Sequence, residues 1–393
     1  MTLERKQIVL NLTHNCNLNC NYCYYKDEMS RYPGYMTKET LEIIIQKVGD
    51  SSYNHFVFNL HGGEPLTLSI QYFEELLELQ KKYLANKKYS NSIQTNGSLI
   101  KNGIIDLIKT SNVTKDTLSL SISLDGNIEI HDYNRIDRNG NGSYKDVIKG
   151  IKILSNNEIS FSVISVLTDR TMLYLQEYYS FFKSIRGMNI LNFSFNEEDG
   201  KLNLRKDNLS IMLSNLFSLW VEDSTATFDI LLFSSTIKNI LGQKKKKIWG
   251  PCFFADLCYD KSSIISISPQ GTVSLCDSAT DLIIGNILTD SIDSLFAKKG
   301  IRKFYAQEEY NKRDSCYYCK WYNICHGGCP SLSKSKNKYC KNIIQYFEKV
   351  SQFLDHNSIF IDNNNVTNID KIKNPILRRS LYESFTNKKN KVH

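Results

Sequence analysis

From residue 7 to residue 195 the chain alternates strand-like and helix-like segments, a rhythm that few folds accept. The strand-like runs fall at 8–12, 56–60, 92–95, 118–124, 160–167 and 190–195. Helical spacing fills the intervals at 37–48, 71–84, 104–109, 143–154 and 171–182. Repeated strand–helix units predict a parallel sheet, open and doubly wound or curved into part of a barrel. The segments with chemical potential each follow one of these strands: Cys16 to Cys23, Gly62 to Pro65, Asn96-Gly97 and Asp125-Gly126. A parallel sheet collects such segments at the carboxyl ends of its strands, where α/β proteins build their sites.

The 393 residues suffice for two or three domains, and 41% hydrophobic with 23% charged residues is ordinary for a globular protein. No apolar run approaches the roughly 18 residues of a membrane span, and the first residues lack a secretory signal's apolar core. These features predict a cytoplasmic protein with no membrane partner. In that compartment the eleven cysteines read as metal ligands rather than disulfides. The net charge of +8 is uneven: residues 356–393 carry seven Lys or Arg against three Asp or Glu, and Lys244 to Lys247 form a second basic run. Both read as solvated segments, and no nucleic-acid-binding module accompanies them.

Cys16, Cys20 and Cys23 stand in the order C-x3-C-x2-C, in an Asn-rich loop after the first strand-like run, with Tyr22 and Tyr24 flanking the last cysteine. Zinc sites usually draw four ligands, whereas a cubane iron–sulfur cluster on three thiolates keeps one iron open for another ligand. Gly62-Gly-Glu-Pro65 follows the second run. Adjacent glycines at a strand end let backbone approach closely, and the Glu64 carboxylate can accept from an ammonium group.

Past residue 250 the texture changes. Cys252, Cys258 and Cys276 come first, then Cys316-x2-Cys319-x5-Cys325-x3-Cys329, then Cys340. Eight thiols make two tetrahedral zinc sites or two four-cysteine clusters, and spacing alone leaves both open. The segment offers little apolar surface for an ordinary core, so metal is expected to hold its shape.

With these motifs the chain resembles radical S-adenosylmethionine (SAM) enzymes over its first half, and the SPASM module of radical SAM peptide and protein maturases from Cys258 to Cys340. The resemblance implies a partial (β/α)6 barrel over 1–196, a helical bridge over 197–250 and a SPASM domain over 251–345. A helix and a basic tail, much of it mobile, occupy 346–393, with 375–385 as a short docking helix. It implies three [4Fe-4S] clusters, of which the one on Cys16, Cys20 and Cys23 binds SAM. By the same resemblance Cys252, Cys258, Cys276 and Cys329 hold one auxiliary cluster, and Cys316, Cys319, Cys325 and Cys340 the other. Gly62, Gly63 and Glu64 are assigned to the SAM amino group and Ser123 and Arg135 to its carboxylate. Gln94 and Asn96 line the same cavity, Tyr22 joins the cofactor-binding set, and Asp277 is the base. An Arg fork suits a carboxylate. A carboxylate beside a cluster can accept the substrate's proton as an electron departs.

The activity expected is oxidative cross-linking of a ribosomally made precursor peptide, a cyclophane-type C–C or ether bond from a side-chain Cβ to an aromatic residue. Pro330 and Ser331 after Cys329 favour it, because sulfatase-maturing relatives tend to carry arginines there. The alternative enzyme reading is anaerobic sulfatase maturation, Cys or Ser to formylglycine, and the non-enzyme reading is a zinc-stapled interaction protein. Expected partners are the precursor peptide with its leader and a flavodoxin or ferredoxin as electron donor, with the chain a monomer. Cys16 lies too near the start for a preceding peptide-recognition domain, so the leader is expected on the barrel, the bridge or the SPASM face.

Overall fold

The computed structural model describes residues 5–31, 34–113, 118–194, 206–242, 264–297, 316, 318–325, 340–362 and 365–385. Cys252, Cys258, Cys329, Pro330, Ser331, Lys244 to Lys247 and the last residues of the basic tail lie outside them. In chain order the sheet strands are β1 (Lys6–Thr13), β2 (His55–Gly62), β3 (Lys88–Thr95), β4 (Leu118–Ser123), β5 (Phe161–Val166), β6 (Met188–Ser194), β7 (Asp229–Ile230), β8 (Ile264–Ile267), β9 (Thr272–Ser274) and β10 (Ile283–Asn286). All six strands expected from the alternation are present, so the fold is mixed α/β around a parallel sheet.

The chain divides into two compact units, the first built from residues 1–124, 128–162 and 257–307. Its strand order is β10-β9-β8-β1-β2-β3-β4. The sheet is parallel from β8 to β4, and β8, β9 and β10 pair antiparallel. Side chains alternate between faces of a strand, and β2 shows it: Phe56, Phe58 and Leu60 are buried, while Val57, Asn59 and His61 are half-buried. Along β1 every residue except Gln7 is buried, as expected for a strand paired on both sides.

The cysteine-rich segment departs from its expected texture. β8 is buried along its whole length and lies parallel beside β1, where Asn11 Nδ2 donates to Ser266 Oγ at 2.9 Å. Four residues are too few to display a period, so this strand is invisible until its partner is known. The helical pattern at 171–182 also divides, into Asp169–Leu173 and Leu175–Ser184, with Tyr174 between them at φ −128° and ψ 40°.

The second unit comprises residues 125–127, 163–256 and 308–393, with most of β5 followed by β6 and β7. Its core lies among the helices Lys206–Val221, Leu231–Gly242 and Cys340–His356. Phe217 is 5.6 Å from Phe233, 6.3 Å from Tyr346 and 5.6 Å from Phe353, ring centre to ring centre. The expected docking helix is Pro375–Phe385, which buries Leu377, Leu381 and Phe385. Asn374 accepts from Leu377 N–H at 2.9 Å and donates to the Trp220 carbonyl at 2.6 Å, which fixes where that helix starts.

Two predictions concern this unit. Phe217→Ala removes a ring shared by three aromatic neighbours and should cost about 3–5 kcal/mol, read as a lower urea midpoint. Burial works against the Asp223 carboxylate, yet donors from Lys183, Thr225 and Tyr179 hold its pKa at about 2. A depressed folded-state pKa stabilises above the unfolded value and is lost on acidification. Asp223→Asn should therefore lower stability at neutral pH, with the gap to wild type closing between about pH 4 and pH 2.

Candidate active site

The loop carrying Cys16, Cys20 and Cys23 leaves the carboxyl end of β1 and is gripped by three neighbouring segments of the first unit. At the end of β2, Gly63 N–H donates to the Thr13 carbonyl and Glu64 N–H to the Asn15 carbonyl, each at 2.7 Å. Gly62 sits at φ +120°, and a Cβ there would stand 2.2 Å from the Thr13 oxygen; at Gly63 it would stand 2.3 Å from the Asn15 oxygen. Only glycine permits this approach. Beyond β3, Asn96 Nδ2 donates to Asn17 Oδ1 and Asn17 Nδ2 to Ser98 Oγ, both at 2.9 Å. From the third segment, the Asn134 and Ile136 carbonyls accept from Asn21 and Asn19 N–H at 2.8 and 2.7 Å, and Arg138 donates to the Cys16 carbonyl at 3.1 Å.

Glu64 binds two strand ends together. Its Oε1 accepts from Leu66 N–H at 2.9 Å and the Thr95 hydroxyl at 2.7 Å, and its Oε2 from Asn96 N–H at 2.6 Å. Burial pushes its pKa up to about 7 against those three donors. A carboxylate offers about four acceptor positions, so one stays available to an ammonium. The Gly62 and Gly63 N–H groups already serve His61 Nδ1 and the Thr13 carbonyl, which leaves only their carbonyl oxygens for such a donor.

The other expected cofactor residues fall into pairs. Gln94 Nε2 donates to Ser123 Oγ at 3.0 Å. The buried Arg135 guanidinium lies 5.4 Å from the centre of the Tyr22 ring. The Arg135 carbonyl accepts from Ser143 Oγ at 2.8 Å, and Ser143 contacts His131 Nε2 at 3.0 Å. Asp125 does different work, accepting from Val166 N–H at 2.9 Å while fully buried.

Asp277, directly after Cys276, accepts from the Tyr24 hydroxyl at 3.3 Å. That contact joins the cysteine-rich segment to the residue following Cys23. Burial lowers the pKa of His61, and the nearby Asp277 charge opposes the shift. In the sequence Tyr24 stands out only as a neighbour of Cys23, and His61 only by preceding Gly62-Gly-Glu-Pro65. Position next to a motif was the one signal available for either.

The donor set of the cysteine loop fits an iron–sulfur cluster. The loop offers three thiols, none of them in a disulfide, with Cys16 pushed up to about 12 by burial, with Glu64, Cys20 and Cys23 adding to the rise. Three thiolates this close need a cationic group among them. Among the described residues no three His, Cys, Asp or Glu converge as ligands of one ion do; a cubane spreads its thiolates over separate irons. In the second unit, Cys316 and Cys319 share a turn closed by Cys319 N–H on the Cys316 carbonyl at 3.1 Å, and Cys325 ends the helix Tyr322–Cys325. Cys340 opens the helix Cys340–His356, whose Glu348 accepts from Trp321 Nε1 at 2.9 Å.

A model of the radical SAM superfamily matches residues 10–182, and one of the SPASM iron–sulfur cluster-binding domain matches residues 258–320. The chain thus carries a radical SAM domain followed by a SPASM domain, with SAM and [4Fe-4S] clusters as cofactors. Its relatives include the cysteine-type anaerobic sulfatase-maturating enzyme of Clostridium perfringens, 29% identical over 357 residues, 85% of this chain and 92% of that protein. The serine-type enzyme of Bacteroides thetaiotaomicron is 26% identical over 368 residues, covering 85% and 86%. The solved structure of anSMEcpe with bound AdoMet and the Cp18Cys peptide superposes with a TM-score of 0.79 at 26% identity, covering 90% of this chain and 98% of that one.

These matches overturn the cyclophane reading, because the relatives matched along 85% of this chain include sulfatase-maturating enzymes of both types. Pro330 and Ser331, which favoured cross-linking, lie outside the described residues. Among the described residues no helix is long and apolar enough to cross a membrane.

Gly63→Ala tests the grip on the cluster loop. Its Cβ would collide with backbone, so iron and sulfide per chain should fall and visible iron–sulfur absorbance should weaken, while the far-ultraviolet spectrum of the fold is kept.

Proposed function

We propose that this chain oxidises a cysteine or serine side chain of a peptide to formylglycine, with cysteine the first substrate to test. What supports the reading is similarity to anaerobic sulfatase-maturating enzymes along 85% of the chain, together with the Tyr24–Asp277 contact beside the cluster loop. Cys16, Cys20 and Cys23 would hold the SAM-binding cluster. The eight later cysteines would hold two more, paired as the resemblance implies. When bound, these groups supply a hydrogen-abstracting 5′-deoxyadenosyl radical from SAM and a sink for the second electron.

The chain's own residues then have separable tasks. Glu64 and the Gly62 and Gly63 carbonyls receive the SAM ammonium, and Arg135, braced on Tyr22, pairs with its carboxylate beside Ser123 and Gln94. Asn96 holds the cluster loop through Asn17. Oxidation to the aldehyde level removes two electrons and two hydrogens from the side chain, one hydrogen as an atom and the other as a proton. Asp277 accepts the proton, and its hydrogen bond from Tyr24 keeps the carboxylate aimed. Water replaces sulfur to finish a cysteine substrate, releasing hydrogen sulfide; a serine is finished at the aldehyde. In this reading the electron comes from a flavodoxin or ferredoxin, and the chain acts as a cytoplasmic monomer.

Anaerobic incubation with SAM, reductant and a sulfatase-type cysteine peptide should yield an aldehyde that reacts with hydrazines. A peptide left unchanged while SAM is cleaved would sink the proposal. Cys16→Ala should abolish 5′-deoxyadenosine formation yet retain about two thirds of the roughly twelve irons of three cubanes.

A further inference from the structure

The third segment that grips the cysteine loop contains a tight turn whose acidic side chain is occupied within it and whose basic side chain leaves it. Asp137 Oδ1 accepts from Asn139 N–H and Asn141 N–H, each at 2.8 Å, and Oδ2 accepts from Asn141 Nδ2 at 3.1 Å. Asp137 N–H closes the turn on the Asn141 carbonyl at 2.8 Å. Arg138, the next residue, reaches across 122 positions of sequence, and its Nη2 donates to the Cys16 carbonyl at 3.1 Å. A bridge between Leu18 and Asp137 and the bond from Asn19 N–H to the Ile136 carbonyl at 2.7 Å hold the register that brings it there.

Cys16 thus collects donors at both ends, since Leu18 N–H donates to its Sγ at 3.4 Å. Bond geometry keeps the oxygen and sulfur of one cysteine within about 5 Å, so the guanidinium nitrogen stands within roughly 8 Å of Cys16 Sγ. That is about one Debye length at physiological salt, and arginine is charged throughout the working pH range. Glu64, whose N–H bonds the Asn15 carbonyl, brings a carboxylate to the same loop, and Arg135 is buried beside Tyr22. Arg138 is exposed and stands on the outer side of the site's chemistry, as a charge directed at one ligand.

We infer that Arg138 raises the reduction potential of the cluster held by Cys16, Cys20 and Cys23. A cluster gains one negative charge on reduction, and its potential follows net charge, hydrogen bonds to the sulfurs and exposure. A cation fixed beside one ligand stabilises the reduced form and eases delivery of the electron by the donor. The role is electrostatic and exerted through Cys16, so no bond forms or breaks at the guanidinium. The inference rests on ligation of the cluster by this loop and is independent of the formylglycine reading.

The test is an anaerobic redox titration of the cluster-loaded enzyme without peptide, followed by electron paramagnetic resonance. Signals that change on addition of SAM report the cluster on the loop. Arg138→Gln removes the charge and should shift that potential to more negative values. The expected size is an about threefold to tenfold fall in the reduced-to-oxidised ratio, roughly 30–60 mV for one electron. Arg138→Lys keeps the charge and should stay close to wild type. The gap between Arg138→Gln and wild type should shrink at about 1 M salt, where the Debye length is about 3 Å. Iron per chain should be unchanged in both variants. The inference is overturned if Arg138→Gln titrates with wild type, if both variants shift alike, or if the shift persists undiminished at high salt. Loss of iron from Arg138→Gln would likewise overturn it, by revealing a merely structural clasp. Aldehyde formation enters none of these readings, so failure of the proposed function is told apart from failure of this inference.

Discussion

The close approach of the β2 end to the cysteine loop is the constraint on which the site depends. Two backbone hydrogen bonds of 2.7 Å, from Gly63 to Thr13 and from Glu64 to Asn15, are possible only because no Cβ stands in the way. That contact sets the direction of the loop bearing Cys16, Cys20 and Cys23, turns the Gly62 N–H onto His61, and starts the turn in which Glu64 caps Pro65–Thr67. A cluster on three thiolates needs its ligands presented together, and a rigid backbone clamp does this without spending side chains that the chemistry needs.

The site contains two carboxylates in contrasting environments. Glu64 is buried and receives three hydrogen bonds, which makes it a fixed strut with room for one cationic donor. Among the described residues Asp277 accepts one hydrogen bond, from Tyr24, and it keeps acceptor capacity beyond that. On the proposed function, environment therefore separates a binding role from an acid–base role. Arg135 follows the same logic: buried and lying near the Tyr22 ring, it gains from a negatively charged partner more than an exposed arginine would.

Much of this was legible in the chain. The strand–helix alternation placed the motifs at one sheet edge, and within the first unit the segments after β1, β2 and β3 meet there. What could not be read were pairings remote in sequence. β8 has no pattern of its own and gains its meaning from β1, 255 residues earlier at the Asn11–Ser266 bond. Tyr24 and Asp277 lie 253 residues apart, and nothing local in either predicts a contact. The choice of reaction rested on Pro330 and Ser331, two local features, and similarity to sulfatase-maturating enzymes along 85% of the chain outweighs them.

The sequence by itself determined the donor chemistry: three thiols in one loop, eight in a second field, a Gly-Gly-Glu turn and an arginine fork. These follow from residue type and spacing, which a chain carries in any conformation. Only the tertiary structure decided that the glycines grip the cluster loop, that Glu64 is largely consumed in joining β2 to β3, and that Tyr24 bonds Asp277. Hydrogen bonds reach about 3 Å and close packing excludes a single Cβ, so such assignments exist only once the strands have met.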